Sequence, residues 1–77
     1  MGFIKYRNIK GDSGVTAYEA GADSIKVVFN NTVYLYTYNN PGKKHVEKMK
    51  ELAKDGRGLS TYISRNVKDK YEKKYTI

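Results

Sequence analysis

The sequence predicts an α+β domain, an antiparallel three-stranded β-meander followed by a C-terminal helical hairpin packed on one sheet face. Three observations lead there. Two runs alternate with period two on either side of Asn30-Asn31, the apolar period becomes helical after Asn39-Asn40-Pro41-Gly42, and Gly56 and Gly58 divide the helical half in two. At 77 residues the chain has room for one domain. Residues 1–12 read as an N-terminal segment or edge strand, 13–38 as the meander and 41–75 as the helical hairpin.

In Ser24–Asn30, Ile25, Val27 and Phe29 point one way, and in Thr32–Tyr38, Tyr34, Tyr36 and Tyr38 do the same. Asparagine tolerates left-handed backbone, so Asn30-Asn31 suits a two-residue type I′ hairpin turn. That turn sets the register: Phe29 faces Thr32, Val27 faces Tyr34 and Ile25 faces Tyr36, which puts the apolar face of one strand beside the tyrosine face of the next. Gly14–Ala20, followed by Gly21-Ala22-Asp23, is the preceding strand. Phe3–Ile9 has a weaker pattern and could add an edge strand.

Val46, Met49, Leu52 and Ala53 recur at helical spacing, with Asn40 and Pro41 suited to N-cap and first helical position and Gly56 placed to end the helix in the left-handed conformation. Leu59, Tyr62, Ile63, Asn66, Val67, Lys70 and Tyr71 trace a second stripe, so the second helix is expected from Leu59 to Tyr71 and as far as Tyr75. Burying both stripes and one sheet face in a single core gives the fold.

Composition narrows the functional classes. With no cysteine, the chain holds no disulfide framework, thiolate zinc site or cysteine nucleophile. No run approaches the roughly 18 apolar residues of a membrane span, and no apolar leader core follows Met1. The expectation is a soluble, unprocessed chain with the cytoplasm as its default compartment and no membrane partner. The formal charge is +7, and it is unevenly spread. Residues 1–42 carry four basic and three acidic groups, residues 43–77 eleven basic and five acidic ones.

Catalysis is poorly provided for. His45 stands alone in a lysine-rich first turn and reads as a solvated polar residue, since a general base needs an oriented partner. Glu47 and Glu51 share a helix face but are surrounded by lysines, and i, i+4 pairing such as Lys43 with Glu47 accounts for them better than a metal site. Ser13, Ser60 and Ser64 have no visible base, and no nucleotide-cofactor fingerprint is present. The chain therefore reads as non-enzymatic, with no cofactor and no metal.

Two binding features compete with structural explanations. Around Gly56-Arg57-Gly58, the backbone N–H groups opening the second helix, with Arg57 beside them, could hold a phosphate; equally, the glycines could serve only a helix cap and a tight turn. The segment resembles the turn of helix-hairpin-helix proteins, with Arg57 where that family has an apolar residue. Lys44, Lys48, Arg57, Arg65 and Lys68 avoid the apolar stripes, and with Lys73 and Lys74 near the terminus they form a positive surface able to collect phosphates, although acids are interleaved. Tyr34, Tyr36 and Tyr38 look like a stacking platform for single strands, but the register assigns Tyr34 and Tyr36 to the core. Tyr38, beside the loop, is the accessible one. The candidate nucleic-acid site is thus Lys44, Lys48, Arg57, Arg65, Lys68 and Tyr38, with RNA favoured over DNA. The alternative is a protein-interaction module or homodimer using the sheet's other face, which carries Lys26, Val28, Val33, Leu35 and Thr37.

The run Ser13-Gly14-Val15…Tyr18-Glu19, then Ile25-Lys26-Val27-Val28-Phe29, Val33-Tyr34-Leu35-Tyr36 and Leu52-Ala53…Gly56…Ile63 resembles the KTSC domain. That family occurs at the C-terminus of some lysyl-tRNA synthetases and as small bacterial proteins, and RNA binding has been suggested for it. The resemblance spans about residues 13–71 and implies that Tyr34 and Tyr36 match the family's Tyr-x-Tyr. Asn30-Asn31 departs from the glycine usual in that family's turn.

Overall fold

The structure is a computed structural model that describes residues 2–9, 11, 14–67 and 69–76. It is an α+β arrangement of five antiparallel strands and two helices. The strands are β1 (Ile4–Lys5), β2 (Val15–Ala20), β3 (Ser24–Phe29), β4 (Thr32–Thr37) and β5 (Lys73–Thr76), lying side by side in chain order. Between β4 and β5 come α1 (Lys43–Asp55) and α2 (Leu59–Tyr62), the latter running directly into a π-helical turn (Ile63–Val67).

The central hairpin has the register expected from its two-residue loop, with Phe29 opposite Thr32, Val27 opposite Tyr34 and Ile25 opposite Tyr36. Asn30 takes a left-handed φ of 54° while Asn31 does not, so the turn departs from type I′, which needs positive φ at both positions. The register survives because loop length, not turn class, fixes which residues pair. In β2 the ladder slips between Val15 and Ala17, a bulge at Thr16. The extra residue lets Val15 and Tyr18 both turn to the face of Val27 and Phe29, which strict alternation would forbid.

Ile25, Val27 and Tyr36 of that face meet Val46, Met49 and Ala53 of α1 and Leu59, Ile63 and Val67 of the second helical segment in one core. Every one of these side chains is almost fully out of water, and burial of this kind is worth about 25 cal/mol per Å² of apolar surface.

Three expectations are corrected. The edge strand expected within Phe3–Ile9 forms as β1 beside β2, but the sheet also gains a strand that was not expected, because β5 covers the outer edge of β4. The helical hairpin ends at Val67 rather than Tyr71 or Tyr75. Leu35 carbonyl accepts the Glu72 N–H at 2.7 Å, and the chain then pairs as a strand, which satisfies backbone groups that β4 would otherwise leave open. Helix α1 begins at Lys43 with Gly42 at the cap position, not at Pro41. Thr37 carbonyl draws in the N–H groups of Asn40 and Gly42, and the Asn40 amide donates to Tyr71 carbonyl at 3.1 Å, so Asn40 is committed elsewhere.

The N-terminal segment lies at the edge of the sheet as β1. After β1 it crosses to the end of α1, where the Ile9 N–H donates to Gly56 carbonyl at 2.8 Å and the Arg7 guanidinium donates to Lys54 carbonyl. Gly56 has φ 79° and caps α1, and a Cβ there would stand 2.8 Å from the Arg7 Cβ. Tyr6, buried, presents its hydroxyl to the Leu59 N–H at 3.3 Å.

Gly56→Ala is therefore expected to destabilise the protein by about 2 kcal/mol, from left-handed backbone alone before the clash is counted. Tyr6→Phe keeps the ring but leaves the buried Leu59 N–H without its partner, an expected loss of about 1–3 kcal/mol. Urea denaturation with unchanged m-values would measure both.

Candidate nucleic-acid interface

Helix α1 turns Val46, Met49 and Ala53 inward, so its two flanks carry different residues. Glu47, Lys50 and Lys54 lie on the flank toward the β2–β3 side, where with Glu51, Asp55 and Ala20 they line a shallow depression of mixed charge. His45, Lys48 and Leu52 lie on the flank toward the second helical segment. The sequence reads the charges of this helix as interleaved, whereas the fold sorts most of them by flank.

Tyr38 belongs to the first flank. Its hydroxyl donates to Glu47 Oε2 at 2.6 Å, and the Lys50 ammonium donates to the same oxygen at 3.0 Å and to Ala22 carbonyl at 3.2 Å. The ammonium groups of Lys43 and Lys50 also lie 5.7 Å and 5.8 Å from the centre of the Tyr38 ring. The hydrogen bond from Tyr38, then that from Lys50, holds the Glu47 carboxyl below its ordinary range, and the same bond raises the Tyr38 phenol. Tyr38 is half-buried in this cluster rather than presented for stacking, and Glu47 pairs with Lys50 rather than in the expected i, i+4 pair with Lys43.

On the second flank a groove of about 370 Å³ runs between the helices, lined by Lys48 and Leu52 of α1, by Gly58, Thr61 and Tyr62, and by Arg65 and Asn66 of the π-helical turn. Lys48 and Arg65 come to it from different elements, and no carboxylate is among its lining residues. Lys48 makes one ion pair, with Glu51 at 3.7 Å, between side chains that are both well exposed. Such a pair is worth at most about 1 kcal/mol and yields readily to a phosphate. At the head of the groove His45 Nδ1 lies 2.7 Å from the Tyr62 hydroxyl, a bond the phenol can donate to the neutral imidazole. His45 is thus half-buried and partnered, not solvated as expected, and its partner is a phenol rather than a carboxylate. The Asn66 amide donates to Tyr62 carbonyl at 3.1 Å, which fixes the groove's wall.

The Gly56-Arg57-Gly58 loop resolves toward its structural role. Both glycines are left-handed, with φ 79° and 82°, and the first N–H of the second helix is taken by the Tyr6 hydroxyl. Arg57 itself is exposed.

Of the residues singled out from the sequence, Lys48 and Arg65 line the same groove. Lys44 is exposed one turn before Lys48, and Arg57 is exposed on the loop next to Gly58. Tyr38 lies on the other flank, and Lys68 lies outside the described residues. Sequence reasoning missed Thr61, Tyr62 and Asn66 as groove residues. Their signal was present as the i, i+4 pairs Thr61/Arg65 and Tyr62/Asn66, but Tyr62 and Asn66 were assigned to the apolar stripe. Tyr34 is half-buried, edge-on to Phe29 and Tyr71, and Tyr36 is in the core.

Compared with protein-family models, curated proteins and solved structures, the chain gives no significant match.

A depressed carboxyl contributes stability that is present above its unfolded-state pKa and lost as pH falls through the folded one. In Tyr38→Phe the Glu47 carboxyl is expected to titrate at a higher pH than in the parent chain, closer to an ordinary glutamate, so its share of the stability disappears earlier on acidification. Side-chain carbon NMR across an acid titration would check this.

Proposed function

We propose that this chain is a small non-enzymatic nucleic-acid-binding module, contacting phosphates from the groove between its helices, and that its polymer is RNA rather than DNA. The observation that carries the reading is that Lys48 and Arg65 line one groove that has no lining carboxylate. Cations brought to one groove from two elements suit the phosphates of a single strand. Lys44 and Arg57 extend the positive surface beyond it. Thr61, Tyr62 and Asn66 add neutral hydrogen-bonding groups at the wall, the kind that engage a 2′-hydroxyl. The resemblance to the KTSC domain, for which RNA binding has been suggested, supports the same polymer.

The alternative, a homodimer or protein partner on the other sheet face, is less well supported. Val28 and Val33 on that face are already 5% and 1% exposed, and β5 adds Lys73 and Tyr75 opposite Leu35 and Val33. Of the large hydrophobic side chains on that face, Tyr75 is exposed while Val28 and Val33 are withdrawn from a partner. No helix among the described residues is long and apolar enough to cross a membrane.

Fluorescence anisotropy with a labelled single-stranded RNA at low salt is expected to give a Kd tighter than about 10⁻⁴ M, the weak end of ordinary non-specific affinity. The double variant Lys48→Glu/Arg65→Glu should lose at least about tenfold, and its log K against log salt slope should fall by about 1.4 for two lost single-strand phosphate contacts. Lys5→Glu/Lys73→Glu lowers the charge equally, from +7 to +3, but on the other sheet face, and should bind close to the parent. Equal losses in the two variants, or no binding by the parent chain, would overturn the reading.

A further inference from the structure

A second depression lies on the other side of the π-helical turn. Ile63 and Ser64 face Phe29, Tyr34 and Tyr36 across a notch of about 240 Å³. Sites for drug-sized ligands run to roughly 300–1,000 Å³, so this one has room for a single ring system. Its walls are aromatic and rigidly set: Tyr34 stands edge-on to Phe29, with centroids 5.6 Å apart at 86°, and is backed by Tyr71 at 5.2 Å and 70°.

Tyr36 distinguishes the notch from a packing defect. The residue is 1% exposed, yet its hydroxyl has no hydrogen-bond partner among the described residues. A phenol buried this deeply ordinarily finds one. Tyr36 is itself one of the residues that line the notch, so a ring entering there stands against it. Burial first, then the neighbouring Tyr34 and Tyr71 phenols, push its pKa well above that of an ordinary tyrosine. Like any phenol at neutral pH it keeps its proton and can donate. Beside it the exposed Ser64 adds a hydroxyl that both donates and accepts.

The surroundings indicate which ring would enter. Ser64 lines the notch while Arg65 and Asn66, the next residues of the same turn, line the basic groove. On the sheet side Lys74 sits opposite Tyr34 in β5, with its ammonium 5.7 Å from the centre of the Tyr71 ring. π-Helical turns are uncommon and recur at functional sites, and this one separates an aromatic notch from a phosphate-sized groove. We propose that the notch is a nucleobase site, in which a base inserts against Tyr34 and Phe29, accepts a hydrogen bond from the Tyr36 hydroxyl and meets Ser64, while Arg65 and Lys74 hold the flanking phosphates. The assignment rests on the RNA reading and deepens it, giving the module a contact to bases beside its contacts to backbone.

The experiment compares a short single-stranded RNA with an abasic ribose-phosphate chain of the same length, binding to the full chain. Stacking of about 1–3 kcal/mol per base predicts that the RNA binds about 5- to 150-fold tighter. Tyr36→Phe, which deletes only the hydroxyl, should erase part of that preference and leave abasic binding unchanged, and Ser64→Leu, at an exposed position, should fill the notch and erase most of it. Millimolar uridine and adenosine should shift the NMR signals of Ser64 and Tyr34, with phenol at equal concentration shifting them less. Equal affinity for RNA and abasic chain, a preference untouched by both variants, or phenol matching the nucleosides would overturn the proposal while leaving the phosphate reading intact. Should neither polymer bind, the phosphate reading falls, and the nucleoside shifts alone decide the notch: present and lost in Ser64→Leu they uphold it, absent they overturn it.

Discussion

The pairing of Ile25 with Tyr36 and Val27 with Tyr34 is the constraint on which the rest of this molecule depends. A two-residue loop allows only that register, and a slip by one would send Ile25, Val27 and Phe29 to the face opposite the tyrosines. Because the register holds, one face of the sheet is continuously apolar and the helices have a single surface on which to bury Val46, Met49, Leu59 and Ile63. The bulge at Thr16 serves the same end in β2, bringing Val15 and Tyr18 to that face.

The corner between the helices is set from outside the hairpin. Tyr6 reaches under the start of α2 to hold the Leu59 N–H, the Ile9 N–H donates to Gly56 carbonyl, and the Arg7 side chain lies where a Cβ at the left-handed Gly56 would stand. Sheet edge and helical corner are thereby one unit. The N-terminal segment, weak as a strand by pattern, positions the second helical segment and with it Arg65, Tyr62 and the groove. The first N–H of the second helix, which looks available for an anion when only Gly56-Arg57-Gly58 is considered, is taken by the Tyr6 hydroxyl.

The surface then divides along α1 and the π-helical turn. One flank of α1 joins Tyr38, Glu47 and Lys50 in a hydrogen-bonded cluster that ties the end of the hairpin to the helix. The other flank faces the groove with Lys48, opposite Arg65. Across the turn lies the notch beside Tyr36, so backbone-sized and ring-sized depressions share one short segment of chain. Charge alone would not have separated these roles, since Glu47, Glu51 and Asp55 lie between the lysines in sequence and come to line one depression only once α1 forms.

Local chemistry was enough to determine the hairpin register, the break at Gly56, the start of the second helical segment at Leu59 and the apolar stripe of α1, because each follows from side-chain period, loop length or a single glycine. Among the site residues, Lys48 and Arg65 were legible as cations off the apolar stripes. Three things were decided only by tertiary structure. Residues 73–76 became a strand because β4 had an unpaired edge within reach, a demand that a four-residue exposed run does not display by itself. Tyr38 and His45 acquired partners, Glu47 and Tyr62, that only packing brings near. Tyr36, assigned to the core by its register, is in the core and also lines a notch, because Ile63 and Ser64 of the neighbouring π-helical turn form the notch's other wall.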